Sequence, residues 1–398
     1  MRFVAISLLL LIISSQFYAQ ETKKMEKINS LIKEVKEKFA PDKRVAVFNI
    51  EVSESTDNNI MLTGETNLPD AKVELMKEIK NEGLTTKDEI IVLPSKELGE
   101  AIYGVTNLSV ANFRINPDHP AELVTQAILG TPVKIYKKGE DGYYLVQTPD
   151  GYIAWLDNDG FQSMNKSEIE NWQKSQKVIY LKEYGFSYSQ PDENSQTVSD
   201  LVAGSTLKLL GEDSDFYKAS YPDSREAYIK KSDAKLFNDW YNLLDPTGET
   251  ILRTAYKFIG LPYLWGGTST KGVDCSGFTK TVYFLNGIIL ARDASQQVNT
   301  GELVDTKGGW ENLQAGDLLF FGRKANEERK ERITHVAIYI GDGDFIHSSG
   351  RVRINSFNPT KSNYSNYRTM GFIRAKRILN SVGKNGIKKI LDNSFYKE

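Results

Sequence analysis

Cysteine is nearly absent from this chain: a single residue, Cys275, among 398. A lone thiol can neither close an internal disulfide nor build a cysteine-rich zinc site, so both ways of stapling a small fold are excluded. Histidine is scarce too, with three residues. No sign of charge dominates, because Lys+Arg 50 against Asp+Glu 52 leave a net charge of -2. That balance offers no basic footprint for nucleic acid or an anionic membrane. The one long apolar run, residues 3–14, is too short to span a bilayer. No phosphate-binding glycine loop occurs. What is present is length and a 40% hydrophobic content, enough for several cores, so three or four domains are expected.

The apolar run follows Met1-Arg2 and leads into a polar stretch after Ala19, the layout of a signal peptide over residues 1–19. The expectation is export, with a mature protein that is periplasmic or extracellular. An exported chain with one cysteine fits a reactive thiol better than a structural one. Residues 24–97 read as helix, two strands, helix and strand, a small α+β unit with a faint similarity to a BON-type fold. A docking module and a spacer both fit that stretch.

Beyond it the pattern changes to short strands broken by Pro, Gly and Asp clusters, over residues 98–163 and again over 176–240. Gly130-Thr131-Pro132-Val133-Lys134-Ile135 recurs as Gly204-Ser205-Thr206-Leu207-Lys208-Leu209, Pro149-Asp150 as Pro222-Asp223, and Tyr152 as Tyr228. A repeat of about seventy residues means two copies of one fold. Both copies resemble bacterial SH3 domains, which predicts two small β-barrels joined by a linker over residues 163–175.

Cys275 opens an amphipathic run after Val273-Asp274. In the first turn of a helix the unpaired N–H groups and the dipole favour the thiolate. Burial as a small apolar residue is the competing reading. Two of the three histidines, His335 and His347, follow within one domain's length and flank the turn Gly341-Asp342-Gly343-Asp344, which predicts a hairpin that draws them together. A thiol, an imidazole base and a third polar group that orients it are the parts of nucleophilic catalysis. His119 lies in a turn-like Asn-Pro-Asp-His-Pro segment and reads as surface loop. Residues 323–332 read as a solvated charged loop.

Residues 246–378 resemble the NlpC family, papain-like cysteine peptidases of bacterial cell-wall peptides. The motifs carrying the likeness are Pro262-Tyr263-Leu264-Trp265-Gly266-Gly267, Asp274-Cys275-Ser276-Gly277-Phe278, Arg292-Asp293-Ala294-Ser295-Gln296-Gln297, Leu313-Gln314-Ala315-Gly316-Asp317-Leu318 and His335-Val336-Ala337-Ile338-Tyr339-Ile340-Gly341. The resemblance implies Cys275 as nucleophile, His335 as general base, His347 as its orienting partner, and Tyr263 facing the oxyanion. With two SH3-like segments ahead of the peptidase, the chain is similar to gamma-D-glutamyl-L-diamino acid endopeptidases. In that group the first barrel closes one end of the cleft and admits peptides with a free N-terminal L-alanine. The resemblance then implies Glu122, Tyr152 and Asp293 around the alanine ammonium, with Trp265, Asp274 and Ser276 lining the same pocket. Ala294 stands where the group commonly carries serine, which leaves one hydrogen bond to substrate open.

The expected architecture is therefore multidomain α+β: a small N-terminal α/β unit, two SH3-like β-barrels, a papain-like catalytic domain and a tail, residues 379–398, without a readable motif. The expected activity is hydrolysis of the gamma-D-Glu to L-diamino acid amide, with diaminopimelate and lysine both open, and without metal or cofactor. Peptidoglycan-derived peptides are the expected partners. Alternatives stand at this point. Glu122 also fits a surface carboxylate, Tyr152 a core aromatic, and Asp274 a helix cap. The whole chain also fits a wall-anchored amidase or endopeptidase acting on intact wall, a non-catalytic wall-binding module, or a zinc hydrolase using Cys275, His335 and His347.

Overall fold

A computed structural model describes residues 2–54 and 60–397, without the side chains of residues 2–20 and 54. The leader expected over residues 1–19 falls outside the described side chains. No helix among the described residues is long and apolar enough to cross a membrane. The chain divides into two compact units, Met1–Gly99 and Glu100–Glu398.

The first unit follows the expected order. Helix Arg2–Phe39 presents Ile28, Leu31, Ile32 and Val35, a helical spacing of apolar positions, to one core. Strands Phe48–Glu54 and Ile60–Thr66 pair antiparallel, and Lys87–Val92 joins the second of them in parallel. A parallel neighbour needs a crossover. Helix Pro69–Asn81 supplies it and buries Ala71, Leu75 and Ile79 against the sheet.

The second unit holds the repeat. In its first copy the strands neighbour one another in the order Phe161–Met164, Tyr103–Thr106, Pro132–Lys138, Tyr143–Gln147, Ile153–Asp157, Val110–Arg114 and Leu123–Ile128. The second copy runs Ala234–Leu236, Lys177–Tyr180, Thr206–Asp213, Phe216–Ser220, Glu226–Lys230, Tyr184–Tyr188 and Thr197–Val202, the same topology position for position. Even the bulges recur, at Ile135/Lys137 and Leu209/Gly211. Among the described residues the end strands of each sheet do not pair, so the expected barrels are SH3-like sheets whose ladders stay open. The expected linker contains helix Lys166–Lys174, capped by Asn165 and Glu168, with Trp172 buried against Val105 and Met164.

A six-stranded antiparallel sheet ends the unit, in the order Glu302–Val304, Phe372–Arg377, Leu318–Arg323, Arg332–Gly341, Asp344–Ser349 and Arg351–Ser356. Helix Cys275–Phe284 lies on it, burying Phe278 and Val282 against Leu318, Phe320, Val336, Ile338 and Ile346. The copies and the peptidase, expected as separate domains, form one compact unit because polar side chains as well as apolar ones cross between them. Thr268 donates its backbone N–H to Gln126 Oε1 (3.0 Å), and Arg292 Nε donates to Thr125 Oγ1 (3.0 Å). The motif-free tail closes the arrangement: Lys388–Lys389 pairs with Ile288–Ile289, Asn393 Nδ2 donates to the Pro149 carbonyl (2.7 Å), and Gln173 Nε2 donates to that of Phe395 (3.0 Å).

Candidate active site

Asp274 caps the helix that carries Cys275, accepting the Gly277 N–H at 2.7 Å. Gly277 has to be glycine, because a Cβ there would collide with the Gly267 carbonyl oxygen. Cys275 thus stands at the first helical position, 7% exposed, with backbone N–H groups of Ser276 and Val336 directed at its sulfur. Val336 follows His335, so this contact places the thiol beside the histidine strand.

The hairpin forms as expected, with Tyr339 opposite Phe345 and His347 opposite Arg353 on the next strand. Counting back from Tyr339, His335 lies diagonal to His347 on one face. Asn355, two residues beyond Arg353, shares that face. Diagonal neighbours on a sheet are within reach of long or aromatic side chains. His335 Nε2 meets His347 Nδ1 at 2.7 Å, and His347 Nε2 meets Asn355 Oδ1 at 2.9 Å. Asn355 Nδ2 donates to the Asn363 carbonyl (2.8 Å), which fixes the amide with its oxygen toward the histidine. An amide oxygen only accepts, so His347 carries its proton on Nε2 and accepts at Nδ1. His335 is then protonated on Nε2, leaving Nδ1 as the basic nitrogen. Because the imidazoles hydrogen-bond to each other rather than converge on a point, His347 orients His335 as a base, an arrangement unlike a zinc ligand set.

Electrostatics correct one expectation. The helix N-terminus favours the thiolate, but burial, with Asp274 nearby, pushes the Cys275 thiol up to about 11. Burial, with Arg368, His347 and Arg353 adding repulsion, holds His335 well below its ordinary value, and burial lowers His347 to about 3. Each group alone is therefore held neutral. A thiolate–imidazolium pair is a state the two reach only together, each charge compensating the other. Tyr263 is half-buried, its N–H bonded to the Gly350 carbonyl (3.0 Å). Burial and the neighbouring Cys275 and Asp274 raise its phenol, which stays a hydrogen-bond donor at neutral pH.

The remaining expected residues lie on the Asp274 side. Trp265, 60% exposed, donates from Nε1 to Glu122 Oε1 of the first SH3-like copy at 2.7 Å. Arg292, missed at the sequence level inside its own motif, is 1% exposed and organises this side. Its Nη2 lies 2.5 Å from Asp274 Oδ2, and its Nη1 donates to Ser276 Oγ at 3.0 Å and lies 3.8 Å from Asp293 Oδ1. Burial opposes the guanidinium charge, but Asp274 outweighs it and holds the pKa above the ordinary arginine value. Asp274 also accepts from Gly266 N–H (3.0 Å) and Ser276 Oγ (3.2 Å), so both its oxygens are committed to cap and counter-ion. That assigns Asp274 to the helix cap and the Arg292 charge, while Glu122 accepts from Trp265 and Asp293 caps the short helix Ala294–Gln297. Tyr152 is 7% exposed and near enough to Arg292 to affect it electrostatically. His119 is a surface residue as expected, its Nδ1 2.8 Å from Tyr143 Oη.

Residues 260–374 match the NlpC/P60 family, and residues 113–161 match the bacterial dipeptidyl-peptidase Sh3 domain. The chain is 36% identical over 234 residues to a gamma-D-glutamyl-L-lysine dipeptidyl-peptidase of Bacillus cereus, covering 57% of this chain and 67% of that one. The chain belongs to the NlpC/P60 family. As an NlpC/P60 protein it is a cysteine peptidase, a hydrolase. A second gamma-D-glutamyl-L-lysine dipeptidyl-peptidase, from Bacillus subtilis, is 34% identical over 200 residues, half of this chain and 61% of the relative. Among solved structures, an NlpC/P60 family protein from Bacillus cereus superposes with a TM-score of 0.59 at 27% identity, covering 70% of this chain and 99% of that one.

Proposed function

We propose that this NlpC/P60 peptidase, itself exported, hydrolyses the amide between gamma-D-glutamate and an L-diamino acid in wall-derived peptides, and that it takes peptides whose N-terminal L-alanine is free. The observation that carries the reading is the Trp265–Glu122 hydrogen bond, through which the first SH3-like copy brings a carboxylate to the Trp265 end of the segment that leads to Cys275. An ammonium leaving water needs compensating carboxylates, and Glu122 and Asp293 stand at that end. Trp265 adds an apolar wall and a ring face for the cation. The names of the two Bacillus relatives support the same bond.

In the proposed reaction Cys275 gives its proton to His335 Nδ1 as its sulfur attacks the gamma-carbonyl, and His347 and Asn355 stabilise the imidazolium. The Tyr263 hydroxyl and the Cys275 N–H hold the oxyanion. His335 returns the proton to the leaving amine, which departs and leaves a thioester. Water then loses a proton to His335, attacks the thioester and releases the peptide acid and the free thiol.

The test is mass-spectrometric product analysis with L-Ala-gamma-D-Glu-L-Lys and its N-acetylated counterpart. Cleavage of the free-amine peptide, with the acetylated one at least about tenfold slower, is expected for the loss of a charge-assisted contact. Equal cleavage would remove the ammonium gate, and release of other products would remove the assigned bond.

A further inference from the structure

On the histidine side of Cys275 stand two guanidinium groups that the chemistry so far leaves unused. Arg353 is exposed and pairs directly across the sheet with His347. Arg368, half-buried on the short helix Asn366–Met370, lies over the ring of Phe321, 5.8 Å from its centroid, and over Tyr367 at 5.2 Å. The Phe321 ring in turn packs against His335, with centroids 5.8 Å apart. Arg368 Nη2 is 3.4 Å from Ser349 Oγ, at the end of the strand that carries His347.

Neither guanidinium makes an ion pair with a carboxylate among the described residues. Arg292, on the opposite side, is neutralised by Asp274. Arg368 has instead Cys275, Tyr263 and Arg353 within electrostatic reach, and burial lowers its pKa. A half-buried cation that packs on aromatic faces beside another cation is costly unless something anionic completes it. The general acid must also face the departing group, because it hands that group its proton. Whatever Arg368 and Arg353 contact beside His335 is therefore on the leaving side of the scissile bond.

We propose that Arg368, assisted by Arg353, binds the α-carboxylate of the departing diamino acid, making the enzyme selective for peptides that end at that residue. The proposal rests on the assigned bond: there the leaving amine and this carboxylate are attached to the same carbon. A planar fork suits a carboxylate, whereas the carboxamide of a longer peptide would set an N–H against it. Arg368 acts on specificity and stands outside the thiol–imidazole relay.

The experiment compares kcat/KM for L-Ala-gamma-D-Glu-L-Lys, the same peptide as its C-terminal amide, and the peptide carrying an α-carboxamide on its D-glutamyl residue. The wild type is expected to favour the free acid over the C-terminal amide by about 10-fold or more, the scale of a charge-assisted hydrogen bond. In Arg368→Gln that ratio should fall to within about 2-fold, while Arg368→Lys keeps part of it. Arg353→Gln, on an exposed strand position, should lower the ratio by a smaller factor and tests the site if Arg368→Gln does not fold. Equal cleavage of acid and amide by the wild type would overturn this proposal and leave the assigned bond standing. So would a ratio unchanged in both glutamine variants, or an Arg368-dependent preference that tracks the D-glutamyl carboxylate instead. A wild type that cuts none of the three peptides would overturn the assigned bond, and this proposal with it.

Discussion

The two SH3-like copies share strand order and bulge position, yet their corresponding residues do different work. The side chain of Asp150 in the first copy is 1% exposed and pairs at 2.9 Å with Lys280, on the helix that carries Cys275. Its counterpart Asp223 lies at the surface and pairs with Arg225 two residues away, at 2.6 Å. The first copy sends Glu122 to Trp265 and Thr125 to Arg292. In the second copy the corresponding loop carries Glu193, which bonds back to Lys230 of its own sheet at 2.5 Å. The second copy does touch the peptidase, through Lys271–Asp200 at 2.5 Å and Lys257–Glu183 at 3.6 Å, but these are contacts of a buttress. One fold used twice shows that a scaffold does not assign a role; the few side chains that face the cleft do.

The largest effect sets the scale for that comparison. Cys275→Ala should lower turnover by about three orders of magnitude or more. Its thermal unfolding should stay close to wild type, so a variant with full activity would remove the nucleophile from both accounts. Next comes the aspartate pair. Asp150→Asn leaves the partly buried Lys280 without its counter-charge and should cost about 2–3 kcal/mol in denaturant unfolding. Asp223→Asn, at the surface, should cost no more than about 1 kcal/mol, and equal losses would dissolve the contrast between the copies.

Mild acid should act first on the peptidase sheet, because the buried histidines are there. His347 is held at about 3 in the folded chain against 6.5 when free. Between those values the unfolded chain binds the proton and the folded chain does not, so stability falls as pH drops below about 6.5. From pH 6.5 to 5 one such group costs about 2 kcal/mol. Chemical unfolding across that range should show the slope, and His347→Asn should remove about half of it, because His335, also held well below its ordinary value, supplies the rest. The smallest contrast is functional. Glu122→Gln should lower kcat/KM on the free-amine tripeptide by about tenfold, whereas Glu193→Gln should stay within about twofold. A Glu193→Gln loss as large as that of Glu122→Gln would mean that both copies face substrate.

Much of this was legible in the chain. The lone cysteine after an aspartate, the hairpin turn between two of three histidines, and the seventy-residue repeat are local patterns, and local chemistry carries them: a cap, a two-strand register, a strand-and-turn rhythm. Asn355 was not legible, since its role depends on a third strand bringing it diagonal to His347. Nor was Arg292, whose motif was visible but whose partners Thr125 and Asp274 come from 167 and 18 positions away. The tail carried no motif because its work is geometric: it pairs with Ile288–Ile289 and reaches Pro149 through Asn393.

By itself the sequence determined which chemistry the chain could perform, because a thiol at a helix start and paired imidazoles are rare groups whose reactivity is intrinsic. It determined the elements as well, through apolar periodicity and turn residues. Tertiary structure alone decided that the thiol is held above its ordinary pKa, since burial is a property of the folded surroundings. It also decided which of two like copies meets the cleft, because contacts between segments more than a hundred residues apart depend on packing that no local pattern encodes.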